Sequence, residues 1–286
     1  MQRRDFIKAL TAGVILSGVA PFSLVSANQP LPLHQGLSQS SFDSNIKDYL
    51  HKMQNFDQSH PGDIYVEKEL LPVLRSCVSR LKRLERMVGH GNFYLLGFDD
   101  GLAIARHYSE VGEFTKEEQG FLERIFYTDS SVYGFISEKP IEKMTSRIHK
   151  KDAVKIPHTG NYVYRGISHE IYKKLKNSSD DKLYLTSGIR GVVKQFLLFL
   201  DKAETKRGNL SQASRSLAPP GYSYHGIADF DVGQIGYGAL NFTERFTTTE
   251  VFKKLEDLEF VNLRYPKGNL KGVRFEPWHI KVFPKG

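Results

Sequence analysis

The chain of 286 residues contains one cysteine, Cys77. No intramolecular disulfide and no cysteine-rich metal cluster can form from it, so any bound metal must be held by His, Asp and Glu. Beyond the first 27 residues no apolar run reaches the roughly 18 residues that would suggest a bilayer-spanning helix. No GxGxxG follows a strand-like run, no Walker loop is present and no internal repeat recurs, which leaves nucleotide binding and a solenoid without support. Charge of one sign does not dominate either. Lys and Arg number 40 against 32 Asp and Glu, a formal net charge of +8, which suits an anionic partner without requiring one. What remains is an ordinary globular composition, 40% hydrophobic, 12% aromatic and 25% charged. It can bury a full core, in one large domain or two small ones, and it excludes disorder, collagen and coiled coil.

Residues 1–27 read as an export signal: a basic start, an apolar stretch from about Ala9 to Val25, and the small-residue ending Val25-Ser26-Ala27. The pair Arg3-Arg4 followed by Asp5, Phe6, Ile7 and Lys8 resembles a twin-arginine signal, with a plain secretory signal or an uncleaved anchor as the alternatives. Cleavage after Ala27 would remove three cations and one acid, taking the charge from +8 to +6 and the length from 286 to 259 residues. The expected location is the periplasm, with no membrane insertion after cleavage. A lone cysteine fits that oxidising compartment, because it has no partner within the chain.

Residues 28–44, rich in Ser, Gln, Pro and Leu without a period, read as a linker. From 45 to 150 helical signals dominate. Leu70, Leu74, Cys77, Leu81, Leu84 and Val88 recur every three or four residues, with Asp63 as a possible cap and Pro72 in the first turn or at a kink. The run from Arg75 to Arg86 holds five basic residues and one acid. No aromatics interleave with it, so a solvated helix face explains it better than a nucleic-acid site. Thr115 to Glu118 forms a capping-box pattern before Phe121, Leu122, Ile125 and Phe126.

From 151 to 286 short β-rich runs alternate irregularly with helices. Strands are expected at Tyr162–Tyr164, Leu183–Thr186, Tyr222–Val232, Phe260–Leu263 and Val273–Phe283. Helices are expected over about 191–202 and 248–258, the second capped by Thr247 and Glu250. The fold class is therefore α+β: a small mixed or antiparallel sheet with flanking helices, preceded by a helical subdomain.

Of ten histidines, two stand apart. His225 lies in Pro219-Pro220-Gly221-Tyr222-Ser223-Tyr224-His225-Gly226-Ile227-Ala228-Asp229-Phe230-Asp231, where small residues let the backbone turn tightly and two acids follow the imidazole. His279 lies in Phe275-Glu276-Pro277-Trp278-His279. Two imidazoles, one carboxylate and an open fourth position make a catalytic zinc site, and a further carboxylate can take a proton from the attacking water. Glu276 and His279, three apart, fall on opposite faces of an ideal strand, so sharing a site requires Pro277 to bend the chain.

Three segments in order resemble the VanY-type D-alanyl-D-alanine carboxypeptidases, zinc peptidases that share a fold with hedgehog-like proteins. These are Leu185-Thr186-Ser187-Gly188-Ile189-Arg190 with Gln195, then Pro220 to His225 leading to Asp231, and finally Glu276-Pro277-Trp278-His279. The resemblance covers about 160–286 and leaves the helical part unmatched. It implies Zn2+ held by His225, Asp231 and His279, with Glu276 as the general base that also delivers the proton to the leaving amine. It implies that Arg190 anchors a substrate carboxylate or the polarised carbonyl, with Ser223 and Gln195 on the substrate side and Trp278 packed against the site. The implied substrate is the peptidoglycan stem peptide, cut to release a C-terminal D-alanine. An endopeptidase, a dipeptidase and a non-catalytic cell-wall-binding protein are the alternatives. Two departures stand out. His225 and Asp231 are six steps apart where the family has seven, which keeps Asp229 open as the ligand, and Ile189 replaces the family's Tyr.

Overall fold

The structure, a computed structural model, describes residues 39–283. The expected export signal and residues 28–38 of the expected linker lie outside them. Nine helices are described: α1 (Gln39–Gln54), α2 (Leu71–Val88), α3 (His90–Leu95), α4 (Phe98–His107), α5 (Lys116–Tyr127), α6 (Ile167–Ser178), α7 (Val192–Thr205), α8 (Leu210–Ser214) and α9 (Glu250–Glu256). Five strands accompany them: β1 (Ala153–Lys155), β2 (Tyr162–Tyr164), β3 (Leu183–Ser187), β4 (Phe230–Gln234) and β5 (His279–Ile280). Helix α1 begins inside the stretch read as a linker. No helix among the described residues is long and apolar enough to cross a membrane. The α+β class holds, with two small antiparallel sheets, β1-β2 and β3-β4-β5.

Among the described residues, those from 43 to 283 form one compact unit. Its first core is helical: Leu74, Cys77, Leu81 and Leu84 of α2 meet Phe121, Leu122, Ile125 and Phe126 of α5, together with Phe196, Phe199 and Leu200 of α7. The expected periodicity is what builds it, because positions three and four apart share a helix face. Thr115 caps α5 in a complete capping box, its hydroxyl accepting from Glu118 N while the Glu118 carboxylate accepts from Thr115 N at 2.8 Å. Arg80 donates to the buried Glu118, and Arg83 to the Val111 carbonyl. Part of the basic run thus braces helices instead of facing solvent. A second core forms under the three-stranded sheet, around Leu183, Leu185, Phe230, Val232, Trp278 and Ile280.

Several local expectations are corrected. Asp63 caps no helix; its carboxylate accepts from both terminal nitrogens of Arg215, at 2.8 and 2.9 Å, in a buried pair. Thr249, not Thr247, caps α9 by accepting from Phe252 N. The runs expected as strands at 222–232, 260–263 and 273–283 reduce to β4, a single bridge between Leu263 and Ile280, and β5. Side chains with loop hydrogen bonds, not longer ladders, hold these segments together.

Candidate metal centre

The three-stranded sheet sets the row that matters. Antiparallel registry places Ser187 of β3 opposite Asp231 of β4, and Asp231 opposite His279 of β5. Directly paired residues share a face, so the sheet brings one carboxylate and one imidazole together. Phe230, between Asp229 and Asp231, enters the core beneath while the two acids point the other way, as period-two alternation requires. His225 arrives from a short 3-10 turn, Tyr224–Gly226. Its Nδ1 lies 2.7 Å from the Gly188 carbonyl. Gly188 tolerates no side chain, because a Cβ there would lie 1.8 Å from the Tyr162 carbonyl oxygen.

The expected bend is present at Pro277. His279 N donates to Glu276 O, closing a tight turn, and the Glu276 carboxylate lies 3.2 Å from His279 Nδ1. Strand alternation is broken there, so the two side chains reach the same cavity. His225, Asp231 and His279 each offer one donor atom, all within 4.8 Å of one another, and all three residues are buried.

Hydrogen-bond chemistry shows what this group lacks. A carbonyl only accepts, so His225 Nδ1 carries the proton and Nε2 presents a lone pair. That lone pair faces Asp231 Oδ1 at 3.2 Å, and neither atom has a hydrogen-bond partner. Burial, with Arg190 beside it, pushes the His225 pKa down and keeps the ring neutral. Burial also disfavours the Asp231 carboxylate, but His225 and Arg190 outweigh it and hold its pKa well below the usual range. Two buried acceptors facing each other without a proton between them are costly alone and fit a cation.

Asp229 stands behind His279, not beside His225. Its carboxylate lies 3.1 Å from His279 Nε2, accepts twice from Arg264 at 2.7 and 2.9 Å, and accepts from Val282 N. Burial disfavours its charge, yet His279 and Arg264 hold its pKa at about 2. Burial likewise opposes the His279 imidazolium, but Asp229, Glu276 and Asp231 outweigh it and raise its pKa to about 9. Arg264 is itself stacked on the Tyr224 ring at 3.7 Å.

The other expected residues divide. Arg190 is tied to the group, donating from Nη2 to Asp231 and from Nε to Ser187 Oγ. Ser223 lines the same cavity of about 350 Å³ as His225, Asp231, Glu276, His279 and Arg190. Gln195 is buried away from it: its amide donates to Arg190 O at 2.7 Å and accepts from Gly221 N at 2.9 Å, tying the Arg190 turn to the histidine loop. Trp278 is buried, with Phe242 edge-on to it at 5.9 Å. Asp229 as a partner of His279, Arg264, and the cavity residues Phe56 and Arg274 escaped the sequence reading. Only the i, i+2 pairing of Asp229 with Asp231 offered a signal for any of them.

Residues 168–285, about two fifths of the chain, match the VanY family, described as D-alanyl-D-alanine carboxypeptidase. The matched stretch contains every residue of the metal group. Two solved structures are similar in part. One is of the LdcB LD-carboxypeptidase, described as revealing the molecular basis of peptidoglycan recognition: TM-score 0.40, 22% identity, covering 47% of this chain and 69% of that one. The other is a glutamate-to-alanine variant of the vancomycin-resistance D,D-pentapeptidase VanY in complex with Zn(II): TM-score 0.37, 20% identity, covering 52% of this chain and 87% of that one. No curated protein matches the chain.

Proposed function

We propose that this protein is a zinc-dependent peptidase acting on peptidoglycan stem peptides, removing a C-terminal D-alanine in the periplasm. The observation that carries the proposal is the pair of facing acceptors, His225 Nε2 and Asp231 Oδ1, buried with no hydrogen-bond partner beside the His279 imidazole and the Glu276 carboxylate. His225, Asp231 and His279 would hold the ion. Zinc suits a set of two nitrogens and one oxygen, and when bound it polarises a carbonyl and makes water acidic enough to attack at neutral pH.

The residues of the chain supply the rest. Glu276, in the cavity and next to a ligand, takes the proton from the attacking water and returns it to the departing amine. Arg190, fixed by Ser187 and Asp231, offers its remaining donors to a substrate oxygen. A mature charge of +6 would favour approach to an anionic wall polymer. The test is mass spectrometry of defined pentapeptide, tetrapeptide and cross-linked stems after incubation with the zinc-loaded protein. Loss of one terminal alanine is expected. An internal cut would reassign the enzyme as an endopeptidase or dipeptidase, and no product from any stem would leave a cell-wall-binding protein.

A further inference from the structure

The cavity that holds the metal group extends to a second cluster with no role in the chemistry above. Arg274, Phe56, Lys202 and Phe242 line it together with Trp278. The Arg274 guanidinium lies against two rings, 4.4 Å from the Phe56 centroid and 4.7 Å from that of Trp278. Its Nη1 donates to the Phe242 carbonyl at 3.1 Å. Its Nε is buried without a partner, and among the described residues no carboxylate lies within ion-pair distance. Glu276 exerts the strongest acidic pull on Arg274 and Asp57 the next; neither is in ion-pair contact, and Asp57 is already engaged by Lys202 at 3.1 Å and Lys206 at 3.0 Å. Burial weakens the hold of this guanidinium on its charge. A cation that loses solvation and gains no counter-ion is destabilising unless something else supplies the charge.

The two rings confine the guanidinium. Its planar fork of donors can grip a carboxylate with two parallel hydrogen bonds. The segment bearing Phe56 is itself anchored: Arg215 donates to Phe56 O at 3.2 Å and to Gln58 O at 2.8 Å, beside its buried pair with Asp63. Phe56 is therefore a fixed wall.

We infer that Arg274 is a specificity-determining residue that binds a second carboxylate of the substrate, one separate from the C-terminal carboxylate, so that the cavity selects acidic peptides. The inference rests on the reading of this cavity as a peptide site. Stem peptides supply such a group where an acidic residue is linked through its side chain and keeps its α-carboxylate. An Arg274 subsite would distinguish that acid from its amide.

The test is equilibrium binding by titration calorimetry, using the full zinc-loaded chain and two synthetic stem tetrapeptides that differ only in whether the internal α-carboxylate is free or amidated. The wild type is expected to bind the free acid about tenfold or more tightly, the worth of one charged hydrogen-bonded contact. Arg274→Gln should abolish the difference, and Arg274→Lys should shrink it without reversing it. Far-UV circular dichroism and thermal unfolding report whether each variant keeps its fold. If Arg274→Gln unfolds, the Lys variant alone decides. Equal affinity of the wild type for both peptides, a preference that survives in the variants, or binding of neither peptide would overturn the inference. A preference that depends on Arg274 in a protein that cuts neither peptide would leave the subsite standing and remove the peptidase. Cleavage of both peptides with no preference would do the reverse.

Discussion

Asp229 and His279 are joined by a hydrogen bond at 3.1 Å, on the side of the imidazole opposite the face that meets Asp231 and Glu276. The carboxylate can only accept, so His279 Nε2 is the donor and Nδ1 is left toward the cavity. Partners of this kind fix the tautomer and ring orientation of a metal ligand. Asp229→Asn should therefore weaken zinc binding by about 10- to 100-fold while leaving the three ligands in place. Competition against a chromophoric chelator measures this, and an unchanged affinity would show that Asp229 serves only Arg264.

Asp63 and Arg215 predict an acid-sensitive anchor far in sequence from the metal ligands. Removing one partner of a buried pair leaves the other unpaired, so Asp63→Asn should cost about 3 kcal/mol of unfolding free energy in denaturant titrations. Burial opposes the Asp63 charge, but Arg215, Asn209 and the His60 amide bring its folded pKa from 3.8 to about 2. A depressed pKa stabilises above the unfolded value and is lost as pH falls through the folded one. The wild type should thus lose this contribution between about pH 4 and pH 2, and the variant should have none to lose there.

Phe196 of α7 packs against Phe98 and Phe126 at centroid distances of 6.0 and 6.2 Å and is fully buried. Phe196→Ala should cost about 3 to 5 kcal/mol. Because the helical core that holds α7 and the sheet core that holds Trp278 belong to one compact unit, the unfolding monitored by helix signal and by Trp278 emission should shift together. Separate transitions for the two probes would show that the two cores unfold independently.

Much of this fold and site is legible in the sequence. Heptad-like spacing from Leu70 to Val88, the Thr115 capping box and the β3 run are local signals, and each formed where its pattern lay. Glu276 and His279 were readable as a pair only with the condition that Pro277 bend the chain, and the turn meets it. Asp63 failed as a cap because its partner, Arg215, is distant in sequence. The long strands expected near the C terminus failed because residues such as Arg264 and Glu276 turn inward to side-chain partners, which hydropathy patterns do not reveal. Phe56 reaches the cavity from outside the stretch that matches the VanY family, so no motif could announce it.

The central claim is that three residues hold the ion and a fourth moves the proton. The measurement that tests it most directly determines zinc content and alanine release on the same preparations of wild type, His279→Ala and Glu276→Gln. The account predicts about one zinc per chain and turnover in the wild type, loss of both in His279→Ala, and retained zinc with turnover reduced at least about 100-fold in Glu276→Gln. Loss of zinc in Glu276→Gln, or full zinc content in His279→Ala, would contradict it.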